Sequence, residues 1–140
     1  MVQKVYAYIT RVIDGSKELL VFKHSVSEAG IQVPKGTVEL GETPEMAVVR
    51  ETIEETGVRN IASVKEIAKD ISTSFDGQMV HRVFFEVCIF HDKDCWTHNP
   101  TGGGGEDGIQ FYFFWIKGIH DVELVRGHAD YLETVWPALE

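Results

Sequence analysis

The pattern of apolar and polar positions opens with two extended runs. Residues 2–10 are rich in β-branched and aromatic side chains, and a second such run covers residues 18–24. The tetrapeptide Asp14-Gly15-Ser16-Lys17 lies between them and has the composition of a turn. Two runs of this kind joined by an Asp-Gly turn are typical of a β-hairpin. A short third strand is predicted at residues 31–33, where Pro34 ends it.

The period then changes to that of a helix. Thr43 is a suitable N-cap, Pro44 suits the first helical position, and Gly57 suits the position just after the last turn. Three apolar residues recur at helical spacing between them, namely Met46, Val49 and Ile53. The sequence therefore predicts a helix over residues 44–56 that buries these three side chains.

The rest of the chain reads as strands followed by a second helix. The predicted elements are a strand at 61–74, a turn at 75–78, a strand at 79–90, a mobile polar loop at 91–108, an aromatic strand at 109–116 and a C-terminal helix at 129–139. With no repeat and no linker, the 140 residues form one predicted domain, 1–140. The order of elements predicts a mixed α+β sandwich.

Composition and charge exclude several classes of protein. Hydrophobic residues at 44% and charged residues at 25% fit a globular chain rather than a disordered one. The net charge of −9 argues against a general binder of nucleic acid or anionic membranes. No apolar run is long enough to span a bilayer, and the first ten residues lack the apolar core of a signal peptide. Two cysteines, Cys88 and Cys95, make no disulfide scaffold, so we expect free thiols and a cytoplasmic location.

Much of the negative charge lies in one segment. Residues 36–58 carry six glutamates against one arginine, and Glu51, Glu54 and Glu55 are neighbours on one side of the predicted helix. Like charges at this spacing cost about 0.2–0.5 kcal/mol for each pair, and a hard divalent cation would offset that cost. A solvated acidic helix face is the alternative. The glycine-containing loop at 36–41 favours a phosphate and metal site, because glycine lets the backbone approach a ligand closely.

These residues resemble the Nudix box. The match covers 23 contiguous residues, and every glycine, glutamate and arginine position of the motif is filled, by Gly36, Glu42, Arg50, Glu51, Glu54, Glu55 and Gly57. One aliphatic position holds Thr52, a departure expected to affect packing. The segment Gly-Glu-Thr-Pro-Glu, followed by Ala-Val-Val-Arg-Glu, is especially similar to the corresponding segment of MutT-type members.

The resemblance implies a fold and an activity. The family fold is an α/β/α sandwich around a mixed sheet, and the family reaction is hydrolysis of a nucleoside diphosphate linked to another moiety, X. By position, Glu51, Glu54 and Glu55 would bind Mg²⁺, with Mn²⁺ as a possible substitute, and the backbone carbonyl of Lys35 or Gly36 would complete the shell. Arg50 would hold a glutamate, and Glu42 would tie the loop to the helix. Family members are often homodimers, so a homodimer is possible.

The general base and the substrate contacts stay open. Glu51 is one candidate base, and a loop acid, Glu106 or Asp107, is the other. Lys35 adds a positive charge beside the phosphates, and a lysine there resembles hydrolases of dinucleoside polyphosphates. Alternation along the strand lets only one of His81 and Arg82 face the substrate. Most aromatic residues are expected in the core, with Tyr112 and Trp115 the better candidates for ligand contact.

Three alternatives accompany the hydrolase prediction. The first is a non-catalytic Nudix-like sensor that binds a nucleotide, although degenerate members of the family usually lose a box glutamate. The second is an acidic interaction domain, which only the negative net charge favours. The third concerns the metal, because Cys88, His91, Cys95 and His98 recur at short spacing and could hold Zn²⁺. An oxidised or normal nucleoside triphosphate is a further possible substrate.

Overall fold

The computed structural model describes residues 1–25, 29–100 and 109–136. Its elements, in chain order, are β1 (Val2–Ile13), β2 (Ser16–His24), β3 (Ile31–Gln32), β4 (Lys35–Thr37), α1 (Pro44–Thr56), β5 (Ile61–Thr73), β6 (Met79–Ile89), β7 (Cys95–His98), β8 (Phe111–Ile116) and α2 (Leu132–Val135). No helix among these described residues is both long and apolar enough to cross a membrane.

One mixed sheet forms the centre of the molecule. Its main path runs β5-β6-β1-β2-β8-β7, with β3 added to β2 and β4 added to β1. β1 and β6 pair in parallel, whereas the other strand pairs are antiparallel. β1 changes partner along its length, because residues 4–6 pair with β4 and residues 10–13 pair with β2.

The two faces of the sheet bury two separate apolar clusters. Successive side chains of a strand point to opposite faces, so Ala7 of β1 packs with Val48 of α1. Tyr8 points the other way and packs with Leu132 of α2. The sheet therefore lies between a long helix and a short C-terminal helix, and the predicted α+β sandwich with a mixed sheet is confirmed.

The predicted hairpin and helix are confirmed in detail. Asp14 and Gly15 both adopt positive φ, 50° and 80°, and form the two-residue turn between β1 and β2. A turn of this kind matches the right-handed twist of the strands that it joins. In α1, the Thr43 hydroxyl accepts a hydrogen bond from the Met46 N–H, and Gly57 ends the helix at φ 79°.

The predicted buried face of α1 is only partly correct, since Val49 packs against the core cluster but Met46 does not. Met46 is 55% exposed, while Ala47, Val48, Thr52 and Thr56 are buried. The two threonines can be buried because each hydroxyl donates to the carbonyl one turn earlier, at 2.8 Å for Thr52 and 2.6 Å for Thr56. A threonine whose hydroxyl is hydrogen-bonded within the helix can be buried like an apolar residue. A prediction from the spacing of apolar residues alone does not detect it.

Three other boundaries also differ from the prediction. The segment 91–108 was predicted to be a polar loop, but Cys95–His98 forms the edge strand β7 against β8. Trp96 anchors this strand by stacking on Phe113, with ring centroids 5.2 Å apart. The first two residues of the predicted loop 36–41 belong to the short strand β4, Lys35–Thr37. The described part of the predicted C-terminal helix contains only Leu132–Val135 as α-helix.

Candidate active site

α1 carries the three clustered glutamates along the border of its buried face. Glu51 and Glu54 are half-buried and Glu55 is only 8% exposed. All three line a cavity of about 440 Å³ that is also bounded by Lys35 and Gly36 of β4. These three glutamates lie beside the core, so their carboxylates are partly removed from water.

Arg50 is the centre of the charge network. Its guanidinium donates to both carboxylate oxygens of Glu42, at 2.7 and 2.9 Å. Its Nη1 atom also donates to Glu51 at 2.7 Å and to Glu54 at 3.2 Å, and Nη2 donates to the Thr37 carbonyl at 3.0 Å. Only the planar fork of an arginine can make all of these contacts at once.

Glu42 fastens the loop before α1 to the helix. In addition to Arg50, its carboxylate accepts a hydrogen bond of 2.9 Å from the Glu39 N–H. The Arg50 hydrogen bond, with the Glu39 N–H second, lowers the pKa of Glu42 to about 2. Glu42 therefore stays ionised under all ordinary conditions, so the loop remains tied to the helix.

The Glu51 side chain packs against Gly36 in the space that a Cβ atom would occupy. A Cβ atom on Gly36 would lie 2.0 Å from Cδ of Glu51, so any larger residue would displace that carboxylate. Burial raises the pKa of Glu51, while hydrogen bonds from Arg50 and Glu55 work in the opposite direction. Glu55 in turn accepts a hydrogen bond of 3.1 Å from the Lys35 N–H.

The donor set fits a divalent cation. Two carboxyl groups in hydrogen-bonding contact, Glu51 and Glu55, share a position where a cation would favour both charges at once. Within the described ranges, no three His, Cys, Asp or Glu side chains converge as a complete metal shell. The Nη1 atom of Arg50 contacts both Glu51 and Glu54. Cation binding would require Glu54 to exchange that contact for the metal.

β7 supports the C-terminal end of α1. The Trp96 indole N–H donates to the Thr56 carbonyl at 3.0 Å, and Nε2 of His98 lies 3.0 Å from the Glu54 carbonyl. A carbonyl oxygen can only accept, so His98 carries its proton on Nε2. The last carbonyls of a helix have no partner within the helix. The sequence prediction missed this contact, although the alternation of Trp96 and His98 was a weak signal for a strand.

The structure brings only some predicted substrate residues to the site. Lys35 lies at the glutamate cavity, and Arg82 lines a second cavity that shares Lys35. His81 is on the opposite face of β6 from Arg82 and contacts the Gln3 amide at 3.1 Å. The Tyr112 hydroxyl contacts Gln110, and Tyr112 lines neither cavity.

Trp115 also lies away from both cavities. Its indole N–H donates to the Lys93 carbonyl at 3.0 Å, and the Arg11 guanidinium lies 4.2 Å from the centre of its ring. Lys4 is the lysine that the sequence prediction missed, since it lines both cavities. Its pKa is lowered by partial burial and then by the charge of Lys35.

The fold does not bring Cys88, His91, Cys95 and His98 together as a zinc site. Cys88 contacts the Thr10 hydroxyl at 3.4 Å, Cys95 is exposed, and His91 packs on Trp96 with ring centroids 4.3 Å apart. No metal-binding group of three or more such side chains occurs in the part of the chain that the structure describes. The candidate base Glu106 and its neighbour Asp107 lie outside the described residues.

Comparison with known proteins identifies the family. The NUDIX domain model matches residues 3–135. The chain belongs to the Nudix family, and its class is that of the Nudix-type hydrolases. The comparison with curated proteins found no match.

Solved Nudix structures share the fold at low sequence identity. The NUDIX domain of Shewanella oneidensis NrtR, complexed with ADP-ribose, is 15% identical with a TM-score of 0.72 and covers 97% of this chain and 86% of that chain. The Escherichia coli ORF135 protein is 23% identical, with a TM-score of 0.63 and coverage of 97% and 89%. A Caenorhabditis elegans Ap4A hydrolase in a binary complex is 18% identical, with a TM-score of 0.60 and coverage of 84% and 80%.

Proposed function

We propose that this protein is a Mg²⁺-dependent hydrolase of the pyrophosphate linkage in a nucleoside diphosphate linked to X. The observation that carries the proposal is the glutamate row of α1, with Glu51 seated against Gly36 and hydrogen-bonded to Glu55. A buried pair of carboxyl groups is costly unless a proton or a cation lies between them. Family membership supports the reaction class.

In this proposal, Glu51, Glu54 and Glu55 hold the cation, with the backbone carbonyl of Lys35 or Gly36 beside them. Mg²⁺, when bound, neutralises pyrophosphate charge and lowers the pKa of water next to it, and Mn²⁺ can replace it. Arg50 keeps the glutamates from separating, since it contacts both Glu51 and Glu54.

A carboxylate accepts the proton of the attacking water. Glu51 is one candidate, because its carboxylate lines the glutamate cavity. Glu106 is the other candidate. Water attacks one phosphorus, the phosphoanhydride P–O bond breaks, and the carboxylate takes a proton from the water; each of the two product fragments then ends in a phosphate group.

Positive charge at the mouth of the site would receive the substrate. Lys35 adjoins the glutamates, and its ammonium forms no ion pair with a carboxylate among the described residues. We assign it to a non-bridging phosphate oxygen. Arg82 is already paired with Asp70 and Asp130, at 2.6 and 3.0 Å, so its contribution is to shape the second cavity.

Replacement of the site glutamates tests the proposal. Purified wild-type protein with Mg²⁺ is offered dinucleoside polyphosphates, oxidised and normal nucleoside triphosphates, ADP-ribose and nucleotide sugars, with the products separated. We expect turnover of at least one substrate and a loss of about 100-fold or more in kcat for Glu54→Gln and Glu55→Gln, because each removes a ligand charge. Glu45→Gln is the matched control, since Glu45 is exposed in the first turn of the same helix.

The non-catalytic sensor would give a different result. Tight nucleotide binding without hydrolysis in excess Mg²⁺ and Mn²⁺ would replace the enzyme by a sensor. Equal turnover in wild type, Glu54→Gln and Glu55→Gln would remove the glutamates from the mechanism. A homodimer remains a prediction that gel filtration of the purified protein would test.

A further inference from the structure

A second cavity adjoins the glutamate cavity. It has a volume of about 920 Å³ and lies among β1, β4, the β5–β6 hairpin and the segment before α2. The two cavities share Lys4 and Lys35, so they meet at these two side chains. The glutamate cavity is acidic, whereas the second cavity has the opposite charge.

Four cationic side chains line this second cavity, and Asp130 is its one acidic lining residue among those described. Arg82 is compensated, because it pairs with both Asp70 and Asp130. The other three cations form no ion pair in the described part of the chain, and these are Lys4, Lys35 and Arg126. In a protein of net charge −9, four cations against one carboxylate at one cavity are a local excess of positive charge.

Strand register places two of these cations side by side. Lys4 pairs with Thr37 and Tyr6 pairs with Lys35, so Lys4 and Lys35 are diagonal neighbours on one face of the β1–β4 pair. The Lys35 ammonium lies 5.5 Å from the centre of the Tyr6 ring, which also lines the second cavity. Both lysines therefore add positive charge where the two cavities meet.

We propose that the second cavity binds a phosphate group carried by X, separate from the pyrophosphate that is cleaved. Lys4 and Arg126 supply the charge that binds it, and Lys35 lies at the border between the two cavities. The inference rests on the proposed function and narrows its substrate class to nucleoside diphosphates whose X group is itself phosphorylated. An X group that is an uncharged sugar places no anion beside Lys4 and Arg126 and is a poorer substrate.

Two substrates that differ in the charge of X test the inference. ADP-ribose has an uncharged X group, whereas in diadenosine tetraphosphate the X group carries phosphates. We expect a higher kcat/KM for the tetraphosphate than for ADP-ribose. Arg126→Ala and Lys4→Ala should each lower kcat/KM for both substrates unequally, with a loss about tenfold larger for the tetraphosphate. Most of this loss in kcat/KM should come from a higher KM rather than from a lower kcat. Lys117→Ala, at an exposed lysine outside both cavities, is the matched control.

A binding measurement keeps the test independent of turnover. Calorimetric titration of inorganic tripolyphosphate in metal-free buffer should show one site in the wild type and a Kd about tenfold weaker in Arg126→Ala. If no substrate is hydrolysed but this difference is found, the proposed function fails and the anion site stands. Equal losses on both substrates, or tripolyphosphate affinity unchanged by Arg126→Ala, would overturn the inference while leaving the hydrolase in place.

Discussion

At the scale of single residues, the site depends on shape as much as on charge. The glutamates and Arg50 could be identified from their spacing, because charged residues at fixed intervals on a helix are visible in the sequence. The reason for Gly36 could be foreseen only in part. A glycine indicates a close approach of some kind, but only the fold shows that Glu51 is the group that approaches it.

Replacement of Gly36 by alanine tests this packing. The added methyl group would occupy the position of the Glu51 carboxylate, with 2.0 Å to Cδ, so Glu51 must move. A displacement of about 1 Å in a catalytic group can lower the rate about 100-fold. We therefore expect kcat to fall by one to two orders of magnitude while the circular dichroism spectrum stays native.

Gly118→Ala is the control for that change. A Cβ atom at Gly118 would meet only the Asp121 carboxylate, at 3.2 Å, far from the glutamates. Its activity should match the wild type. Full activity in Gly36→Ala would show that the position of Glu51 is not needed for the reaction.

At the scale of elements, the helix and the main strands follow from local signals, and the support of the helix does not. Caps at Thr43 and Gly57 determine where α1 begins and ends, so its bounds could be predicted. Its buried face could not, since Thr52 and Thr56 satisfy their hydroxyls within the helix. β7 was missed because a four-residue edge strand gains its stability from a long-range partner, β8, rather than from its own pattern.

The support that β7 gives to α1 leads to a second prediction. Trp96→Phe and His98→Ala each leave one carbonyl at the end of α1 without its side-chain donor. Each change should lower the free energy of unfolding by about 1 kcal/mol, measured by urea denaturation. His98→Ala should also raise the Mg²⁺ concentration for half-maximal rate, because its partner is the backbone of Glu54.

Thr97 provides the comparison for this pair. It lies between the two on β7 and is exposed on the other side of the strand, so Thr97→Ala should change neither quantity. A Mg²⁺ response of His98→Ala equal to that of Thr97→Ala would limit β7 to a structural role.

At the scale of the whole molecule, charge is separated rather than spread evenly. The acidic box and the cationic second cavity meet at Lys4 and Lys35. The sequence alone located the acidic half, because its residues are contiguous. The cationic half combines residues from β1, β4, β6 and the segment before α2, so only the folded chain brings it together.

The C-terminal segment makes stability depend on pH through His128. This histidine is 3% exposed, its Nδ1 accepts a hydrogen bond of 3.0 Å from the Val33 N–H, and burial lowers its pKa to about 4. The unfolded chain binds a proton near pH 6.5, whereas the folded chain does not until about pH 4. Stability from this group is therefore complete above pH 6.5 and decreases as the pH falls toward 4, by roughly 3 kcal/mol in total.

Urea denaturation between pH 7 and 4.5 measures this loss. His128→Asn keeps an acceptor for the Val33 N–H but cannot titrate, so its stability should change much less across this range. His120→Gln, at an exposed histidine, should behave like the wild type. Glu42 and Asp70 also have lowered pKa values, but their contribution is lost only at more acidic pH. An unchanged slope in His128→Asn would contradict the assignment.

The dependence of hydrolysis on divalent cation tests the central claim most directly. The measurement is the initial rate of release of nucleoside monophosphate or diphosphate from the best substrate, by chelator-treated protein titrated with Mg²⁺ and, separately, Mn²⁺. The account predicts no turnover in the chelator, because no cation then neutralises the pyrophosphate charge or lowers the pKa of the attacking water, and it predicts a saturable return of activity with either cation. Hydrolysis at an undiminished rate in excess chelator would contradict it.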